Sequence, residues 1–293
     1  MRKYLYSLLL GVLAIPALAQ ESNDSQFGPV AGEKAFGVTL NPIATFIGNM
    51  HNGTANNALG DLQGESIFSK NHAWIPAFSI MGKYFVGDNT AVRANIGFIF
   101  SRNDAQTYVR DDEAFFLNSF SQAKVVDSEI TKRRGGSLAI GLEKRIGSGR
   151  VQGIVSGSAV YGFATTKRTY KYGNAITDIN QSPTIATPAN YTAVGAMPNA
   201  RPINTFTAAP AHLAGFVGSF GAEYFLCKKA SIGAEVNVYL VHEWTSQRYT
   251  EYEGFNVITN TVETYTNTVS PKSNRTEFAT GNVGANLFMN FYF

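Results

Sequence analysis

Six ionisable side chains stand where water is scarce. Lys83, Arg93, Glu143, Arg145, Glu223 and Glu235 each interrupt a segment in which every second residue is apolar. The three cations balance the three anions. An unpaired charge in a narrow interior carries a large desolvation penalty, so the six are expected to meet as ion pairs. Such a set can plug an enclosed polar space, as a gate for small solutes or simply as structural filling.

Signals for catalysis are weaker. Of the four histidines, His242 is followed by Glu243, which puts their side chains on opposite faces of an extended segment. The others are His51, His72 and His212; His72 and His212 are expected to face outward near the loop rim, with no serine placed by sequence to pair with either, so no triad is expected. Asp111, Asp112 and Glu113 could hold a cation or activate water, but read as a solvated loop cluster. HExxH, GxSxG, Walker and GxGxxG patterns are absent, as are metal-spaced Cys and His sets. A non-enzymatic protein without metal or cofactor is expected.

The elements that must position the six charges follow from a two-residue period, which argues for half-buried strands rather than helices. Strands are predicted over 35–46, 71–85, 90–102, 134–146, 151–168, 211–226, 231–248 and 274–293. In the third, Val92, Ala94, Ile96, Phe98 and Phe100 alternate with Arg93, Asn95 and Gly97. In the seventh, Ile232, Ala234, Val236, Val238 and Leu240 alternate with Ser231, Gly233, Glu235, Asn237 and Tyr239. Short connections at one end are predicted to oppose long loops 47–70, 103–133, 169–210 and 249–273 at the other. A two-sheet sandwich has no reason to segregate its loops this way; an eight-stranded antiparallel up-and-down barrel crossing a membrane does. Outward aromatics then fall in two girdles. Phe46, Trp74, Phe98, Phe100, Tyr161, Phe163 and Trp244 lie near the loop end; Phe36, Tyr84, Tyr224, Phe291 and Phe293 lie near the turn end. Lys144 is an outward cation placed beside a turn, where its stem can snorkel. Pro42 and Pro76 remove ladder donors and predict bulges. Alternation also persists from Tyr249 to Thr268, predicting a hairpin above the membrane.

Composition agrees. Of 293 residues, 15% are charged and 13% aromatic, there is one Cys, and the formal net charge is +3. A disulfide scaffold, an acidic disordered chain and a basic nucleic-acid binder are excluded. Met1-Arg2-Lys3, an apolar run from Leu8 to Ile15 and Ala17-Leu18-Ala19 make a secretory signal peptide over 1–19. Its removal takes the charge from +3 to +1 by loss of Arg2 and Lys3. Residues 20–34 are expected to be a periplasmic segment and 35–293 the barrel.

The chain closes on alternating Gly284, Leu287, Met289, Phe291 and Phe293. This ending resembles the signal read by the barrel-assembly machinery. With the signal peptide and eight strands, the sequence resembles the small outer-membrane barrels of the OmpA, OmpX and OmpW type. That resemblance implies an integral protein of a Gram-negative outer membrane. Its implied partners are outer-membrane lipids, lipopolysaccharide, the assembly machinery and, through the four long loops, an envelope or extracellular protein. A structural or surface-interaction role is expected, with a narrow channel as the alternative and a lipid A-modifying enzyme behind it.

Overall fold

The computed structural model describes residues 27–40, 78–186, 190–279 and 286–293. Its elements are β1 (Lys34–Leu40), β2 (Phe78–Gly87), β3 (Thr90–Arg110), α1 (Asp112–Leu117), β4 (Lys124–Ile146), β5 (Val151–Lys171), β6 (Thr192–Val194), β7 (Met197–Cys227), β8 (Ala230–Thr245), β9 (Arg248–Asn256), β10 (Thr261–Ser270), β11 (Ser273–Ala279) and β12 (Asn286–Tyr292). The order β7-β5-β4-β3-β2-β1-β12-β8 closes through β7–β8 pairing into an antiparallel ring of eight strands. Closure removes the edges that an open sheet would leave unpaired.

Every second side chain faces in, and the parity read from the sequence is the one adopted. On β3, Val92, Ile96 and Phe98 are exposed while Ala91 and Arg93 are buried. On β4, Leu138, Ile140 and Leu142 are exposed while Glu143 and Arg145 are buried. The wall is therefore apolar outside and polar within, the reverse of a water-soluble barrel. Lys144 points outward beside the turn and reaches Thr90 Oγ1 at 3.4 Å.

The strands run further than the alternation predicts. Of the segments expected as loops, 103–133 is mostly sheet and 197–210 of 169–210 belongs to β7, while 249–273 holds the hairpin predicted over Tyr249–Thr268. β3 and β4 stay paired up to Arg110 and Lys124, and β5 and β4 up to Lys171 and Ser128. β7 starts at Met197, and β9 and β10 form a hairpin that extends the sheet from β7. At about 3.3 Å per residue and a tilt near 40°, β4 is roughly 55 Å tall, against about 25 Å for an apolar band. Above the band both faces are wet, so the apolar–polar contrast fades while the backbone ladder continues. The loop 47–70, Pro42, Pro76, Phe46, Trp74, His51, His72, Gly284 and the signal segment lie outside the described residues.

The outer extension has its own polar scaffold. Asp111 caps α1 by accepting from Ala114 N. Asp127 accepts from the backbone of Gly173 and Ala186, both at 2.8 Å. Asp112 accepts from Thr184 N at 2.6 Å and Asn180 Nδ2 at 3.1 Å. A carboxylate of α1 and one of β4 thus pin the β5–β6 connection over the outer end of the ring. Arg201, 3% exposed, donates to Glu253 Oε1 at 2.8 Å and stacks 3.9 Å from the Tyr172 ring centre.

Candidate functional site: a buried chain of charges

Five strands bring the six charged residues together. Lys83 and Arg93 are directly opposite on β2 and β3, an unfavourable pairing of like charges by itself. Glu143 on β4 resolves it: its carboxylate lies 2.8 Å from Lys83 Nζ and 3.5 Å from Arg93. Arg93 forks onto Glu235 with two bonds of 2.9 Å and gives a third, of 3.0 Å, to Ser156 Oγ. Bidentate guanidinium–carboxylate pairs of this kind are the strong, directional ones. On the other side, Lys83 is 4.0 Å from Glu223, and Glu223 pairs directly with Arg145. The sequence Glu235–Arg93–Glu143–Lys83–Glu223–Arg145 is one alternating chain of charge across the lumen. None of the six is more than 5% exposed.

Neutral partners finish the cluster. Glu223 accepts from the hydroxyls of Ser231 and Tyr292 and from Asn290 Nδ2. Arg145 also donates to Tyr292 Oη at 3.2 and 3.1 Å. Gly221 faces Glu235 across the β7–β8 ladder. A Cβ there would collide with Ala234 O and lie 2.7 Å from Glu235 Cα, so only glycine allows this approach. Ser156, Ser231, Asn290 and Tyr292 carry no sequence signal beyond sharing the inward parity of the charges.

Below the ions lies an apolar floor that the charge pattern does not reveal. Ala35, Phe85, Ala91, Phe225 and Tyr292 pack together, with Phe27 against them. The Arg145 guanidinium sits over the Phe85, Phe225 and Tyr292 rings at 5.3 to 5.5 Å. Residues 27–33 then cross the mouth. Phe27 N donates to Ser148 O and Phe27 O accepts from Gln152; Ala31 N donates to Asp88; Glu33 pairs with Lys229. This strap touches all three short turns of the ring.

Among the described residues the candidate catalytic side chains do not assemble. His212 accepts or donates with Tyr161 Oη at 2.8 Å and stacks on Trp244. His242 meets Thr276 Oγ1 at 2.8 Å on the outer wall. Asp111 and Asp112 serve the loop contacts described above. Among the described residues no group of three His, Cys, Asp or Glu side chains is placed to hold a metal.

The outer face decides the setting. Phe98, Gly136, Phe163, His212 and Trp244 lie opposite one another on five successive strands. This row forms an aromatic girdle at the outer rim. Phe36, Tyr84, Tyr224 and Phe293 are exposed at the turn end. A closed ring with two girdles, an apolar band between them and ions inside is an integral barrel of the outer-membrane type.

No protein-family profile matches the chain, and a search of curated proteins finds no match. Two solved structures align along most of their length. Outer membrane protein OprG from Pseudomonas aeruginosa is 10% identical, with 91% of this chain and 98% of that chain covered at a TM-score of 0.30. A major outer membrane protein from Thermus thermophilus is 10% identical, with 90% and 100% covered at a TM-score of 0.29. Strand pairing and closure of the ring define the fold.

Proposed function

We propose that this protein is a non-enzymatic outer-membrane barrel whose lumen is permanently plugged and whose work is done at its surface. One observation carries this reading: the alternating six-charge chain spans the lumen, each charge beside a counter-charge and buried above an aromatic floor. An eight-stranded ring has room for side chains but little else, and here that room is filled. The tall outer extension, with the β9–β10 hairpin projecting from β7, is the part offered to an envelope or extracellular partner. Loops and extensions on a rigid scaffold are where binding is usually built. The C-terminal Leu287, Met289, Phe291 and Phe293, with Gly284, are proposed as the assembly signal.

Planar-bilayer recording tests the plug. The refolded wild-type protein and its Glu223→Ala variant are both expected to be silent, because the floor and strap remain when the ion chain is cut. Steady conductance by the wild type would favour the narrow-channel alternative. Conductance only in Glu223→Ala would make the ion chain a gate.

A further inference from the structure

Just above the outer aromatic girdle the wall carries a row of cations with few counter-charges among the described residues. Phe100, Arg134 and Thr165 are direct cross-strand neighbours on β3, β4 and β5. Two residues further out, Arg102, Lys132 and Lys167 are direct neighbours on the same strands. Residues directly opposite share a face of the sheet, about 4.5–5.5 Å apart at Cα. Phe100 is 77% exposed on the outer wall, so Arg134 and the Arg102–Lys132–Lys167 row share that wall. Among the described residues, the carboxylate within ion-pair reach of these four is Asp104, 3.4 Å from Arg102. Lys167 lies 5.5 Å from the Phe206 ring centre, a cation–π contact that leaves its charge in place.

Three like charges directly opposite one another destabilise a bare sheet. The inner ion chain shows how this fold treats such a clash, where Glu143 bridges Lys83 and Arg93. Among the described residues no carboxylate bridges two cations of the outer row, and the row's depth points to what supplies a bridge. Arg102 is four residues beyond Phe98, or roughly 10 Å above the girdle along a strand tilted near 40°. That is the level of lipid headgroups, where basic clusters bind anionic lipid.

We infer that Arg102, Lys132, Arg134 and Lys167 form a binding site for the phosphate groups of the phosphorylated glycolipid of the outer leaflet. The site rests on the reading of the chain as an outer-membrane barrel. The glycolipid's phosphates take the place that Glu143 takes inside, bridging cations that otherwise repel, while its acyl chains lie against Phe98, Phe100 and Phe163.

The test uses the full-length protein refolded in zwitterionic detergent and titrated with bisphosphorylated lipid A. Lys132→Gln/Lys167→Gln is expected to bind about 30-fold more weakly, from two lost charges near the headgroup level. Lys124→Gln/Lys171→Gln removes the same charge about a Debye length or more further out and is expected to bind within about twofold of wild type. Dephosphorylated lipid A is expected to bind like the Lys132→Gln/Lys167→Gln variant binds the intact lipid. Inorganic phosphate is expected not to compete at equal concentration. A structural readout runs in parallel: Lys132→Gln raises the unfolding temperature in lipid-free micelles and lowers it relative to wild type once lipid A is present. Equal binding by the two double variants, equal binding of the dephosphorylated lipid, effective competition by inorganic phosphate, or no reversal of the stability order would overturn the site. Heat-modifiable gel migration and insertion into vesicles report the barrel itself, so failure of the site and failure of the membrane reading are told apart.

Discussion

Glu223 is the residue on which the inner cluster turns. It accepts from Arg145, Ser231, Asn290 and Tyr292 and lies 4.0 Å from Lys83, with no exposure. Glu223→Ala leaves the ion chain with three cations and two anions. Lys83 keeps Glu143 at 2.8 Å, so the stranded charge is Arg145, also unexposed on its side chain. Breaking a buried pair by removing one partner costs about 3–5 kcal/mol. Part of this is softened by the three aromatic rings around the guanidinium, each cation–π contact being worth about 0.5–2 kcal/mol. The net loss expected is therefore about 2–4 kcal/mol, read as a shift of the urea midpoint for unfolding from detergent micelles, followed by tryptophan fluorescence. Arg145→Met/Glu223→Met removes both charges and is expected to recover most of that loss, since replacing a whole buried pair by apolar groups is often neutral. A cost below about 1 kcal/mol for Glu223→Ala, or a double variant as unstable as the single, would refute the claim that pairing holds these charges inside.

The lipid-facing wall gives a second test: Ile140→Lys, near mid-height and 51% exposed, should cost about 2–4 kcal/mol in bilayers, whereas a change under about 0.5 kcal/mol, normal for a watery surface, would remove the membrane from the argument. Gln152→Ala deletes the 2.7 Å bond to Phe27 O and should speed proteolysis of residues 27–33 while heat-modifiable migration stays as in wild type. In the outer extension, burial pushes the Tyr191 phenol up to about 12, against a lowering by Arg201. A raised phenol favours the neutral folded form, so this contribution is complete below about pH 10 and is lost as pH climbs towards about 12; tyrosinate absorbance with Tyr191→Phe as reference checks it. Burial also pushes the Asp112 carboxyl up, but hydrogen bonds from Thr184, Asn180 and Arg110 together outweigh it and hold it below the usual range. That stabilisation is present above the ordinary carboxylate pKa and fades as pH falls through the lowered one, so acid should loosen the 172–191 connection before the barrel, as limited proteolysis would show.

How far the sequence could be read depended on what each face touches. Between two solvents of opposite character the period is unmistakable: Ile140 and Leu142 meet the lipid side, Glu143 and Arg145 the lumen, and a shift of one residue would exchange them all. From Arg102 outward the same ladder runs between water and water, and Arg102, Asn103, Asp104, Ala105 and Gln106 show no contrast to read. That is why β3 extends to Arg110 where alternation ends near 102. The six charges were legible because each is costly where it stands. Their neutral partners were not, since Ser231, Asn290 and Tyr292 would be unremarkable on any inward face and gain meaning only from the register that sets them around Glu223. The floor of Phe85 and Phe225 was hidden for the opposite reason. Aromatics at inward positions break the polar-inside rule, here at the floor and again at Phe288, which packs with Met81 and Ile154. The outer cations follow the same logic as the inner ones. Arg102, Lys132 and Lys167 are ordinary surface residues taken one at a time. Aligned by the β3–β4–β5 register they form a row of like charge that, among the described residues, no carboxylate bridges, and the lipid phosphate proposed for it would do outside what Glu143 does inside.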